Sequence, residues 1–219
     1  MFTFCCSTTP VFIPTHINNN TQSFQAAAEL QKSVVKIETQ NFVRIYNKKS
    51  NLVYTTTISS AGTGNIIRHT QTKSFILTAG HICSLNYNKI KEKHPDGDKE
   101  NLDIEIKTLF VVKSFKNDLY KGTKLVVDTN TDLCMLLTNN IHYGVDLILS
   151  PNNPQYGEKV YSMGYAYGLW SYGYLPIFDG YYSGYLAENE FNSAMYSMPT
   201  SFGCSGAPIF NKHGMLIGT

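Results

Sequence analysis

The 219-residue sequence predicts an all-β protein built from two successive groups of strands. Three observations carry this. Short apolar or alternating runs recur along most of the chain. Gly, Pro and Asn clusters punctuate them as turns. Only residues 21–32, with Ala26-Ala27-Ala28-Glu29-Leu30, have a helical composition. Many short strands with frequent turns and little helix point to barrels or sandwiches.

Composition fits that class and removes others. Apolar residues make up 42% of the chain and charged residues 16%, which is too apolar for a disordered protein. Abundant tyrosine and phenylalanine suit strands. The formal net charge is +2, so charge gives no argument for a nucleic-acid partner or a membrane surface. No apolar run approaches the ~18 residues of a transmembrane helix, so no membrane span is expected. Residues 1–14 lack a charged leading region and a clear small-residue cleavage site, so a secretory signal is not expected.

In chain order, residues 1–20 mix Thr, Pro and Asn and read as a loose arm. Residues 21–32 read as a short helix. The first strand group is expected near 33–38, 41–46, 52–58, 63–68, 74–79, 104–112, 123–128 and 132–138. The charged stretch 89–102, with His94-Pro95-Asp96-Gly97-Asp98, reads as a surface loop. Asn and Pro concentrate between Asn139 and Pro154, which marks a break. A second group follows near 158–164, 181–187, 194–198, 207–211 and 214–219, with Asn211-Lys212-His213-Gly214 as a hairpin turn. The expected division is 1–32, 33–145 and 146–219. No internal repeat is readable.

The chemistry centres on Phe202-Gly203-Cys204-Ser205-Gly206-Ala207-Pro208. A serine hydroxyl needs a base to take its proton and donors to hold the oxyanion formed when it attacks a carbonyl. Gly203 and Gly206 allow a tight turn around Ser205, which suits the Gly203 and Ser205 amides as the oxyanion hole. The base is expected in Thr78-Ala79-Gly80-His81, where His81 follows an apolar strand. His16, His69, His94, His142 and His213 lie in polar, tail or turn contexts. The orienting carboxylate is expected at Asp132, which heads the apolar Leu133-Cys134-Met135-Leu136-Leu137; Asp128 and Asp103 are alternatives. Burying a carboxylate there requires compensating hydrogen bonds, and an imidazole N–H is such a donor.

These three segments, in the order His, Asp, Ser, resemble the signature segments of trypsin-like, chymotrypsin-fold serine proteases. Ser33-Val34-Val35-Lys36-Ile37 with Gly62-Thr63-Gly64-Asn65-Ile66-Ile67, and the run from Gly157 to Leu169, resemble the HtrA-like branch, without a recognisable PDZ domain. The resemblance covers about residues 33–219. It implies two six-stranded-type antiparallel barrels, with His81 and Asp132 on the first and Ser205 on the second. In that family a segment like Met215-Leu216-Ile217-Gly218-Thr219 leads into a wall of the specificity pocket, and a closing strand and helix follow. The second barrel is therefore expected to be incomplete at its C-terminal side.

The resemblance implies a serine endopeptidase acting on a peptide or protein substrate through an acyl-enzyme. Pro199, Thr200 and Ser201 are expected at the pocket floor; none is acidic, which disfavours an Arg or Lys preference and favours a small or apolar side chain. The aromatic loop 165–178 is expected to cover the site, to bind a partner or simply to pack. Cys204 is a rival nucleophile, but in this motif the nucleophile precedes Gly, as Ser205 does. Secreted trypsins pair the cysteine after the catalytic histidine with one on a preceding strand; Cys83 matches the first, yet no cysteine lies between Cys6 and Cys83. Five cysteines, two of them in the arm, are therefore read as small buried hydrophobes in a reducing or intracellular compartment. Cysteines and histidines show no paired ligand spacing, so no metal or cofactor is expected. The competing classes are an inactive protease-fold module that binds peptides, and a viral or phage polyprotein-processing protease.

Overall fold

A computed structural model describes residues 28–93, 101–169, 174–188 and 191–219. It is all-β, with one closed six-stranded barrel and a second, incompletely closed five-stranded sheet. The expected arm and most of the expected first helix lie outside the described residues. Residues 28–30 are helical and run into a 3₁₀ turn, Gln31–Ser33. No helix among the described residues is long and apolar enough to cross a membrane.

The barrel strands are β1 (Val34–Asn47), β2 (Leu52–His69), β3 (Lys73–Ala79), β4 (Leu102–Lys113), β5 (Leu119–Asp128) and β6 (Leu133–Asn139). They close in the order β1-β2-β3-β6-β5-β4, all antiparallel. Alternate β1 residues Val35, Ile37, Val43 and Ile45 point inward and are buried, as the two-residue strand period requires. Ile37, Ile66, Ile76, Phe110, Val112 and Leu136 form the main barrel core. Burying one such side chain contributes about 1.5–3 kcal/mol relative to leaving it exposed.

Two corrections concern element boundaries. The four strands expected before residue 69 are two long ones, paired without interruption from Val34↔Asn65 to Asn47↔Leu52. The expected gap at residues 39–40 is paired with Ser60 and Ser59, and Asn41 beside it faces Ile58 in the ladder and is buried. Its amide oxygen accepts from Thr108 Oγ1 at 2.8 Å and its Nδ2 donates to the Ile58 carbonyl at 3.4 Å, so the polar group is partnered inside the barrel. The expected loop at 89–102 is helical at its start and strand at its end, while residues 94–100 lie outside the described residues. A helix, α2 (Tyr87–Lys93), follows the one-turn α1 (Gly80–Cys83), and β4 starts at Leu102.

The second sheet consists of β7 (Lys159–Met163), β8 (Ile177–Glu188), β9 (Phe191–Tyr196), β10 (Ile209–Asn211) and β11 (Leu216–Gly218). Its order is β11-β10-β7-β8-β9. The connection from the barrel meets β11 through one parallel bridge, Leu149 to Leu216. The β10–β11 hairpin turns as expected: Gly214 has φ +74°, and Asn211 Oδ1 accepts from the His213 and Met215 amides at 2.9 and 3.0 Å. The sheet packs on Leu147, Met163, Leu175, Phe210 and Leu216. Val34, the first residue of β1, belongs to the same cluster, so the chain that opens the barrel also plugs the second core.

Candidate active site

Strand register brings the expected base and its orienter together. β3 pairs with β6 so that Ala79 faces Leu133. The residue after Ala79 is then next to the residue before Leu133, and the Gly80 amide donates to the Asp132 carbonyl at 2.6 Å. One step on, α1 presents His81. Its backbone amide donates to Asp132 Oδ1 at 2.7 Å, and its ring Nδ1 lies 2.8 Å from Asp132 Oδ2. An ionised carboxylate only accepts, so the proton of this bond belongs to Nδ1. In the neutral ring the Nε2 lone pair is then left to act as a base.

Asp132 is not buried, contrary to the expectation. Both side chains are just over half exposed. Asp132 sits in the turn ahead of β6, with φ +54°, at the mouth of a cleft rather than inside the apolar strand. Its compensating bonds come from the His81 amide and ring.

The alternatives are occupied elsewhere. Asp128 closes its own turn, accepting from the Thr131 hydroxyl at 2.8 Å, which holds its carboxyl below the usual range. Asp103 pairs with Lys48 at 2.9 Å. His69 is a second His–Asp partner that sequence reasoning passed over: Nδ1 lies 2.6 Å from Asp146 Oδ1 and Nε2 lies 3.1 Å from the Ile141 carbonyl. Both ring nitrogens are engaged, tying β2 to the connection between the strand groups. His16 and His94 lie outside the described residues.

Ser205 lies in the turn between β9 and β10. Gly203 and Gly206 flank it at φ +93° and +80°. A Cβ on Gly203 would sit 1.7 Å from the Tyr165 carbonyl oxygen, and one on Gly206 would sit 2.3 Å from the Thr63 carbonyl oxygen. Glycine is therefore required at both positions by angle and by space. The Phe202–Gly203 and Cys204–Ser205 peptides are oriented through their carbonyls. Phe202 O accepts from the Tyr167 amide at 2.9 Å, and Cys204 O accepts from the Ala207 amide at 2.8 Å. In a trans peptide the N–H points away from the carbonyl. Both bonds thus fix the direction of the next amide, on Gly203 and Ser205 respectively. Among the described residues, neither amide is engaged in a hydrogen bond to another protein group.

His81, Asp132, Gly203 and Ser205 line one cleft of about 1180 Å³. Pro199, Thr200 and Ser201 line it too, as do Tyr165, Tyr167 and Phe178 from the aromatic loop. Residues 170–173 of that loop lie outside the described residues. Phe202 is 93% exposed beside the cleft. Cys204 also lines it as a free thiol, 3.5 Å from Ser201 Oγ.

The cysteine reading needs correction. Cys83 and Cys134 form a disulfide, both 1% exposed. Cys83 comes two residues after His81, and Cys134 two after Asp132. The β3–β6 register that joins His81 to Asp132 therefore also brings the two thiols together. Pairing across strands was invisible as long as only a preceding strand was considered.

A family model for the trypsin-like peptidase domain matches residues 62–218. The chain belongs to the trypsin-like peptidase family. The closed barrel, the second open sheet and the cleft between their residues are the trypsin-like arrangement expected from the three motifs. No curated protein matches the chain.

Other polar residues around the Ser205 turn escaped the sequence reading. Thr63 and Asn65 of β2 look like surface-alternating strand residues in sequence, yet both are wholly buried. The Thr63 amide donates to the Ser205 carbonyl at 2.8 Å, and Asn65 Nδ2 donates to the Gly206 carbonyl at 3.0 Å. A usable signal was their setting: Gly62-Thr63-Gly64-Asn65 gathers small and polar residues at the start of the apolar Ile66-Ile67, just where another backbone approaches.

Proposed function

We propose that this trypsin-like peptidase is a serine endopeptidase with His81, Asp132 and Ser205 as its triad. The observation that carries the reading is the 2.8 Å bond from His81 Nδ1 to Asp132 Oδ2 on a cleft shared with Ser205. His81 Nε2 takes the Ser205 proton as Oγ attacks the peptide carbonyl. Asp132 holds the ring tautomer and stabilises the imidazolium that forms. The carbonyl oxygen becomes an oxyanion, held by the Gly203 and Ser205 amides. Collapse breaks the C–N bond; the imidazolium hands its proton to the leaving amine, and an acyl-enzyme remains on Ser205. Water, deprotonated by His81, attacks the acyl carbon; the Oγ–acyl bond breaks, the imidazolium returns the proton to Ser205 Oγ, and the acid is released. The oxyanion donors are worth about 100- to 1,000-fold in rate each.

The cleft lining supports a small or apolar substrate side chain. Pro199, Thr200 and Ser201 carry no charge to meet an Arg or Lys.

A fluorophosphonate probe tests the activity. The expected result is labelling of Ser205, lost in Ser205→Ala while the circular dichroism of the fold is retained. A folded wild-type protein that resists the probe, and that cleaves no peptide in a mixed-sequence library, overturns the reading in favour of a peptide-binding module.

A further inference from the structure

The nucleophile turn lies between two strands of the second sheet, yet several of its polar anchors come from the barrel. Thr63, on β2, makes bonds with all three of its polar groups. Its amide donates to Ser205 O at 2.8 Å, and its carbonyl accepts from Thr78 Oγ1 at 2.7 Å. Its hydroxyl accepts from the Tyr165 amide at 2.8 Å and donates to the Gly203 carbonyl at 2.7 Å. The direction is not a choice. An amide N–H can only donate and a carbonyl can only accept, so the single hydroxyl proton is committed to Gly203 O. The chain runs Tyr165 N–H to Thr63 O–H to Gly203 C=O, with Thr63 0% exposed.

Tyr165 is itself fixed: its ring lies under Lys36 Nζ at 4.1 Å, and its carbonyl oxygen occupies the space a Cβ on Gly203 would need. The Gly203 and Ser205 carbonyls, both held by Thr63, bracket the Cys204–Ser205 peptide. That peptide supplies one oxyanion amide, and Gly203 supplies the other.

We propose that the Thr63 hydroxyl is a positioning group for the oxyanion-binding turn, locking it to the barrel that carries His81 and Asp132. The inference rests on the serine-peptidase reading above. Valine has nearly the shape of threonine, but it leaves the Gly203 carbonyl and the Tyr165 amide without this partner in a buried place. The turn then relieves itself by rotating the flanking peptides, which moves the oxyanion amides off their target. Serine keeps the relay and loses only a methyl group.

The test compares wild type, Thr63→Val and Thr63→Ser in the full chain. The readouts are the rate of fluorophosphonate labelling and the rate of acylation by p-nitrophenyl acetate, each per folded molecule by near-UV circular dichroism. Thr63→Val is expected to slow both by about 10- to 100-fold, and Thr63→Ser to recover most of the rate. If Thr63→Val does not fold, Thr63→Cys carries the comparison, its thiol being a weak donor and acceptor; at least about 5-fold slowing is then expected. A folded Thr63→Val (or Thr63→Cys) labelling at the wild-type rate, or a Thr63→Ser as slow as Thr63→Val, overturns this inference alone. A folded wild type that does not label overturns the triad reading, and this one with it.

Discussion

The two strand groups hold their share of the site by different means. In the barrel, His81 and Asp132 hang from the ends of β3 and β6, which pair residue for residue up to Ala79↔Leu133. Their separation is a consequence of ladder register, reinforced by the Gly80 amide and the Cys83–Cys134 disulfide. In the second group Ser205 sits in a turn outside any ladder, and β10 begins only at Ile209. Its turn is held by individual hydrogen bonds, two from Thr63 and one each from Asn65 and Tyr167. The proposed base and orienter are thus set by repetitive backbone pairing, the proposed nucleophile by a few individual contacts. Damage to the first should change proton transfer, and damage to the second should change alignment.

That contrast can be broken at several strengths. The largest effect belongs to the base: His81→Ala should lower turnover about 10⁵- to 10⁶-fold, and Ser205→Ala should match it, because members of a triad act as a unit. Asp132→Asn should cost about 10⁴-fold, measured as the acylation rate. Gly203→Ala should cost at least about 100- to 1,000-fold and also disturb Tyr165, whose carbonyl oxygen lies 1.7 Å from the new Cβ. Wild-type turnover in that variant would contradict the geometry of the turn.

Smaller effects separate the groups by stability. Replacing Cys83 and Cys134 by alanine together opens a bridge across 51 residues. A loss of about 2–4 kcal/mol in urea unfolding is expected, with the midpoint shift confined to the barrel's transition if the groups melt separately. The weakest lever lies in the second sheet. Tyr196 is partly buried, and burial pushes its phenol up to about 12, with the Tyr185 and Tyr182 rings adding to the shift. A raised folded-state value means stability that is complete below the unfolded phenol's pH ~10 and is lost as pH climbs through the folded value. The sheet should therefore weaken between about pH 10 and 12, by no more than ~1–2 kcal/mol after solvent screening. Tyr196→Phe should flatten that slope in alkaline thermal scans.

Legibility followed the same divide. Strands marked by alternation, such as Val35-Lys36-Ile37, or by an unbroken apolar run, such as Phe75-Ile76-Leu77, were readable because the signal is local. His81 and Asp132 were readable because each stands at the end of such a run. What the sequence hid was pairing between distant segments: Cys83 with Cys134, His69 with Asp146, Asn41 with Thr108. Each joins residues more than fifty positions apart. Thr63 and Asn65 were hidden for the same reason, since their partners lie about 140 residues downstream.

Asp132 has one further property with consequences of its own, its backbone angle of φ +54°. Side chains with a Cβ avoid that region, but asparagine, aspartate and glycine tolerate it. Alanine there would add a conformational penalty to the loss of charge and overstate what the carboxylate does. In the genetic code, aspartate lies one transition from asparagine and one from glycine. On the proposed mechanism, a single nucleotide change could therefore remove the carboxylate while keeping a residue that this backbone angle tolerates.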